Sequence, residues 1–502
     1  MISVVIILYW LYSQLMQSIV GSNNSASTIA DASNYLLSDW TRPDARISPP
    51  QSKDSQQGWM KQQFQQHSNN NLRNVTTPVS VGGLPQWLRQ GKNKHVQVKG
   101  GGNVQYTSPV CEGFNNTFRR PRHGCQRNPD TKMVHCAFEN FRVDVDKIEC
   151  DLGGEPLESV MGRPEEPEFP RYQMGAFSTE RAPKHVPLPG TFESSHYIDQ
   201  VLNNMEFPTA DQQCAEVRKG TTMFITRYEY VNLYHTMTDW FNFYHSLPPD
   251  EESVNVVFLD AHAEGSLDSV WSQMSGRPYE HVKHLKRGGV CFEKAILIPP
   301  GYASPLFSHG YKPRCPSQLM VEHFSDFVLQ RYGLGHEHKI EGNVVIIDRI
   351  AHISHPRSSL TGSRIFSNLD VLESEIKKVP GVTSVRRLQF ETMSFQEQLR
   401  AIRRAHVLIG NHGAGLTHLL FLSNDTAVIE FSPFAKDFFV YLSDWKGESV
   451  DYNLLEDFEA LELGEEASDS TRELPSSLIE KAVSALTRIM EKKTKHDPSN
   501  LV

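Results

Sequence analysis

Apolar positions fall into three regimes along the chain. Residues 3–20 (SVVIILYWLYSQLMQSIV) form the only long apolar run, about the length that spans a bilayer, weakened by Ser13, Gln14 and Gln17. No clean A-x-A-like cleavage site follows it. Residues 1–20 therefore read as an uncleaved signal-anchor rather than a removed signal peptide, although no Lys or Arg precedes the run. Residues 21–105 are rich in Ser, Asn and Gln and bury too little apolar surface to offset the entropy of ordering, so a disordered stem is expected there. Gly100, Gly101 and Gly102 close that stretch.

After residue 106 the pattern becomes that of a folded body, and from Thr221 it sharpens. Strands are expected at 221–227, 253–260 and 291–299, with helices at 232–244, 266–274 and 316–332 between or after them. Residues 333–339 read as a linker. A second cycle follows, with strands at 343–348, 382–389, 406–410 and 426–431 and helices at 368–378 and 394–404. Ser394 and Glu397 have the spacing of a capping box. Strands alternating with helices predict an α/β protein with doubly wound sheets. The first cycle falls in residues 106–335 and the second in 336–502.

Composition changes this picture little. The chain has 502 residues, 39% hydrophobic and 22% charged, which is enough for two ordinary cores. A formal charge of −9 gives no excess of Lys and Arg for a nucleic-acid partner. Seven cysteines show no CxxC spacing, so no zinc site is expected, and an odd count leaves one thiol free or paired between chains. Cys111, Cys125, Cys136 and Cys150 suggest disulfides in an oxidising lumen, with connectivity open, as it is for Cys214. Cys291 and Cys315 flank one strand and loop of the first cycle and are expected to pair. Sequons at Asn23, Asn74, Asn115 and Asn424 suit a lumenal glycoprotein. Anchor, stem and body together are the layout of a single-pass type II Golgi membrane enzyme.

Three groups of residues carry candidate chemistry. His235 and Asp239 lie four apart, on one face of a helix that follows a strand, at the strand end where open α/β sheets place ligands. The plainer alternatives are a helix-capping histidine at the core edge and a surface carboxylate. The turn Gly410-Asn-His-Gly-Ala-Gly415 joins a strand to a helix with small residues, which lets the backbone approach a diphosphate. It lacks the GxGxxG order and the P-loop lysine, so hydride transfer and ATP hydrolysis are disfavoured. Arg349 stands just past a strand end, placed to pair with a phosphate, and Glu430 on the next strand is placed to accept from ribose hydroxyls. Asp144 and Asp146 imitate a metal-holding carboxylate pair, but an alternating strand over 141–148 with both on its solvent face accounts for them.

Residues 401–418 (AIRRAHVLIGNHGAGLTH) resemble the signature of glycosyltransferase family 61. Residues 224–240 (FITRYEYVNLYHTMTDW) closely resemble the plant members that add β-1,2-xylose to the core of N-glycans, as do 158–163, 175–177 and 290–297. Membership implies a GT-B arrangement, with residues 106–335 on the acceptor side and 336–502 holding the nucleotide sugar. It implies UDP-xylose as donor, an N-glycan on a glycoprotein as acceptor, and inversion, since an α-linked donor gives a β product by in-line attack with a base on the acceptor side. In such enzymes helix N-termini and basic groups, rather than a required metal, stabilise the departing diphosphate. By resemblance His412, Gly413, Ala414, Gly415 and His418 fall in the donor loop, Arg349 and Arg364 among the basic groups, and Asp239 at the base position with His235 beside it. Asp348 departs from the plant pattern, which has a second basic residue there. Other family 61 activities remain alternatives: GlcNAc transfer to protein hydroxyls, pentose transfer to xylan, or, outside enzymes, an idle glycan-binding module.

Overall fold

The computed structural model describes residues 121–127, 133–164, 166–180, 196–208, 213–249, 251–307, 319–350, 365–432, 438–446, 449–456 and 471–494. The expected anchor and stem lie outside these residues, as do Asn23, Asn74, Asn115, Cys111, Cys315 and Arg364. Among the described residues no helix is long and apolar enough to cross a membrane.

Strands β1 (Gly124–Arg127), β2 (Val134–Val143), β3 (Ile148–Glu149), β4 (Arg171–Tyr172), β5 (Phe177–Ser178), β6 (Met205–Glu206), β7 (Glu216–Ile225), β8 (Asn255–Phe258), β9 (Tyr279–His281) and β10 (Val290–Ile298) belong to the first half of the body. All but β3 and β4, which pair with each other, form one mixed sheet in the order β6-β5-β2-β10-β7-β8-β9, with β1 on β2. Strands β10, β7, β8 and β9 run parallel, and β2 is antiparallel to β10. Helices α1 (His196–Asn203), α2 (Leu233–Ser246), α3 (Ser269–Ser275) and α4 (Leu319–Arg331) accompany this sheet. The chain passes from β7 outward to β8 and β9, then returns to β10 on the other side of β7. That reversal opens a crevice at the carboxyl ends of β7 and β10.

The second sheet is wholly parallel. Strands β11 (Asn343–Ile347), β13 (Ser384–Leu388), β14 (Val407–Asn411), β15 (Thr426–Ser432) and β16 (Val450–Glu456) take the order β13-β11-β14-β15-β16. Strands β12 (Ile365–Phe366) and β17 (Thr471–Arg472) pair separately. Numbered within the sheet, the order is 2-1-3-4-5, so the chain reverses between β11 and β14. Val344–Ile347, Val407–Gly410 and Thr426–Ser432 are buried along their whole length, as expected of central parallel strands covered on both faces. Helices α5 (Leu369–Ile376) and α8 (Ser476–Thr494) cover one face through Leu372, Leu478, Ala482 and Leu486. Helices α6 (Phe395–Arg403) and α7 (Phe438–Lys446) and the 3-10 segment Ala414–Phe421 lie on the other.

That second face is where the halves meet. One apolar cluster runs from Trp240, Trp271 and Phe324 to Phe390, Phe395, Leu419 and Phe421. The Trp240 and Phe395 rings sit 5.2 Å apart, and α2 and α4 both pack on the segment 414–421.

Two expectations are corrected. The strand expected over 141–148 stops at Val143: Asp144 caps a 3-10 turn at Val145–Lys147, accepting from the Asp146 amide. Asp144 then pairs with Arg142 and Asp146 with Arg287, so both carboxylates are held by neighbouring guanidinium groups. Nor does Cys291 pair with Cys315. It bonds Cys214, at a Cα separation of 5.7 Å. The reason is lateral register: β10 lies parallel to β7 with Cys291 opposite Val217, which brings the residues entering β7 alongside it. Cys125 bonds Cys136 directly across the β1–β2 pair, and Cys150 is a free, half-buried thiol whose pKa burial pushes up to about 12.

Candidate active site

Helix α2 begins in the first crevice. Asn232 caps it, its side-chain oxygen accepting from the amides of Tyr234 and His235. The helix is buried on nearly every face, and both His235 and Asp239 are almost wholly enclosed. Asp239 is therefore no surface carboxylate. Its Oδ2 accepts from the Tyr228 amide at 2.8 Å and the Glu229 amide at 3.4 Å, tying the loop after β7 to the helix. Gly301, just past β10, closes on the same carboxylate: a Cβ there would collide with Thr238 and lie 2.8 Å from Asp239 Oδ1. Burial raises the Asp239 pKa, opposed by the Tyr228, Glu229 and Gly301 amides. Asn242 donates to the carbonyls of Pro299 and Pro300, so α2 holds both strand ends that frame the crevice.

His235 points elsewhere, into rings. Its centroid lies 4.9 Å from Tyr228, 5.2 Å from Tyr234 and 5.7 Å from Phe307. Burial drops its pKa to about 3, so the imidazole is neutral.

Beneath this loop sits a buried ionic network. Arg227 donates to Asp260 at 2.7 Å and to Asp268 at 2.6 Å, and also to the His262 carbonyl. His262 Nδ1 contacts Glu168 at 2.7 Å, and Arg163 pairs with Glu168 and Glu155. Burial disfavours charge on Asp260, yet Arg227 outweighs it and holds its pKa at about 2. This network fastens Glu155, Arg163 and Glu168 onto the ends of β7 and β8.

In the second half, the reversal between β11 and β14 brings Arg349 and the 411–415 turn together. Arg349 Nη1 donates to the His412 carbonyl at 3.3 Å, and a Cβ on Gly413 would collide with that same nitrogen. Glycine is what lets the guanidinium reach the turn. His412 Nδ1 contacts Glu430 Oε1 at 2.5 Å, and the other Glu430 oxygen accepts from the Tyr452 hydroxyl. With both oxygens engaged and no exposed surface, Glu430 orients His412 instead of meeting ribose hydroxyls. Asp348 turns sideways to Gln389 and Arg387 on the neighbouring strand end.

His418 is likewise a core residue. Its Nδ1 contacts the Gly415 carbonyl at 2.8 Å, its ring lies 4.6 Å from Phe390, and burial lowers its pKa to about 4. Ala414 and Gly415 begin the 3-10 segment, and Gly415 runs close to Ile347. Asn424 is exposed in the turn before β15, although its sequon partner Thr426 is buried.

A chain of rings joins the two groups. Tyr234, beside His235, lies 6.2 Å from Phe439 on α7, and Phe439 lies 5.1 Å from His412. His235 and His412 thus stand at opposite ends of one aromatic path. Sequence reasoning missed Tyr228, Tyr234, Tyr302, Phe307 and Phe439, and it missed the fastening role of Arg227, Asp260 and Asn242. Gly301 after a Pro-Pro pair was the one local signal of a tight approach.

Comparison with known proteins agrees with this layout. Residues 196–429, which span both crevices, match the family Glycosyltransferase 61. A β-1,2-xylosyltransferase of Oryza sativa subsp. japonica is 31% identical over 404 residues, covering 69% of this chain and 74% of its own. A β-1,2-xylosyltransferase of Arabidopsis thaliana is 29% identical over 475 residues, covering 76% and 84%. The EGF domain-specific O-linked N-acetylglucosamine transferase of Xenopus laevis is 29% identical over 237 residues, covering 44% and 43%. The chain belongs to glycosyltransferase family 61 and is a glycosyltransferase.

Proposed function

We propose that the chain transfers xylose from UDP-xylose to the core β-mannose of N-glycans, in β-1,2 linkage and with inversion. The observation that carries this reading is likeness to two β-1,2-xylosyltransferases over most of their length, both halves included, against less than half for the GlcNAc transferase. The two halves would act as a GT-B pair in the Golgi lumen. The turn 411–415 and Arg349 would take the UDP diphosphate, with backbone amides and one guanidinium stabilising the charge that builds as the glycosidic bond breaks.

The acceptor hydroxyl then meets α2. We assign its deprotonation to His235 rather than to Asp239, which the sequence favours. The Asp239 carboxylate faces backbone amides, whereas His235 lies against the half-buried Tyr228 and Phe307; burial keeps the imidazole neutral, and its pKa of about 3 makes it a weak base as it stands. Proton transfer to it therefore requires bound substrate to raise that pKa, as a negative charge brought close to the ring would. Asp239 holds the loop that carries Tyr228.

The test is direct. The purified full chain, given UDP-xylose, UDP-GlcNAc and UDP-arabinose with a mannose-core glycan, is expected to use UDP-xylose and give a β-linked product by NMR. Transfer of GlcNAc to an EGF domain instead would replace this reading with the second family activity. Turnover is also expected to persist in EDTA, since Asp144 and Asp146 are engaged by Arg142 and Arg287. Loss in EDTA with recovery in manganese would contradict that expectation.

A further inference from the structure

We propose that a row of aromatic side chains leading to His235 is an acceptor subsite, stacking neutral hexose rings of the glycan beyond the sugar that reacts. The proposal rests on the glycan-acceptor reading above. Phe169 stacks near Tyr197 at 6.0 Å, Tyr197 lies 6.1 Å from Tyr302, and Tyr302 meets Tyr228 edge-on at 5.3 Å. Tyr228 in turn meets His235.

Core packing does not account for this row. Its four members come from separate segments: the turn before β4, helix α1, the stretch after β7 and the stretch after β10. All four are half-buried, and none belongs to any of the buried apolar clusters. Tyr228 Oη is shielded from solvent and has no hydrogen-bond partner among the described residues. Shielded hydroxyls normally find partners, and this one is open to a hydrogen bond from a ligand hydroxyl.

The chemistry of the row selects its occupant. No member is charged, which disfavours a phosphate or a carboxylate. Flat apolar faces tipped with phenol oxygens suit a molecule that presents C–H faces and hydroxyl edges, which is a neutral pyranose. Because the row ends on His235, the sugar stacked nearest that end would be fixed in register with the proposed base.

The experiment measures acceptor and donor KM separately in the full chain. Tyr302→Ala and Tyr197→Ala are each expected to raise the KM for the mannose-core glycan about tenfold, the scale of one lost aromatic anchor, with the UDP-xylose KM unchanged. Tyr302→Phe should restore the wild-type value, and a simple mannoside should show no difference between wild type and variants. The unchanged donor KM certifies folding, and Tyr302→Leu serves if the alanine variant fails that check. Unchanged glycan KM in these variants, with wild type active on the glycan, overturns the subsite alone. A wild-type enzyme that ignores the glycan and modifies a folded peptide domain overturns the acceptor reading itself, and the subsite with it.

Discussion

Asp239→Asn separates two roles that one side chain can play. An asparagine oxygen still accepts from the Tyr228 amide, so a loop-holding Asp239 predicts turnover near wild type for this variant. A base at Asp239 predicts a loss of 10²–10⁴-fold, the usual contribution of general acid–base catalysis. With His235 as base, the loss of that size is expected for His235→Ala instead, and steady-state kinetics on the pair decides. On the donor side, Arg349→Ala should weaken UDP binding roughly ten- to a hundredfold in calorimetry, or about 1.5–3 kcal/mol for a charge-assisted contact. Unchanged affinity would assign the diphosphate to another basic group. The glycine turn and its arginine were legible in the chain because small residues at a strand end have a local cause. Glu430 was misread because its engagement depends on Tyr452, one strand over.

Elements were legible where their cause is local. Ser394 and Glu397 make the capping box their spacing predicts, with Glu397 Oε2 accepting from the Ser394 amide at 2.9 Å. The largely apolar stretches expected as strands at 343–348 and 426–431 became the central parallel strands Asn343–Ile347 and Thr426–Ser432. What pairs laterally was not legible. Cys214 and Cys291 are 77 residues apart, and only the β7–β10 register brings them together. Peptide mapping without reduction should recover that cross-link, and Cys214→Ser should lower stability by about 2–4 kcal/mol in denaturant titration. A cross-link from Cys291 to any other cysteine would contradict the register. The aromatic row was hidden for the same reason: its rings come from four segments with no shared periodicity.

Across the whole molecule, buried histidines set an acid limit. Burial lowers the folded-state pKa of His235 to about 3 and of His281 and His418 to about 4, below the ordinary 6.5. Between those values the unfolded chain binds more protons, so their contribution is complete above about pH 6.5 and is lost as pH falls. Each withdraws about 2 kcal/mol by pH 5. His262 acts the other way. Burial opposes its charge, but Asp260 and Glu168 outweigh that and raise its pKa, so it adds stability on the acid side. The raised Asp239 also favours acid. The clean measurement is therefore a difference: between pH 7 and pH 5 the wild type should lose about 2 kcal/mol more than His418→Gln. Equal losses would mean that His418 titrates normally.

The apolar cluster shared by α2, α4, α6 and the segment 414–421 has a consequence for how such a protein can be taken apart or recombined. A chain severed near residue 335 would leave Trp240, Phe324, Phe395 and Phe421 facing water on two fragments, a sticky wound on each. On the donor-site reading proposed above, the second half is thus no interchangeable cartridge. A chimera that borrows another enzyme's nucleotide-sugar half would have to bring a matching partner for Trp240 and Phe324, so new donor preferences are more readily reached by point changes around Arg349 and His412 than by grafting.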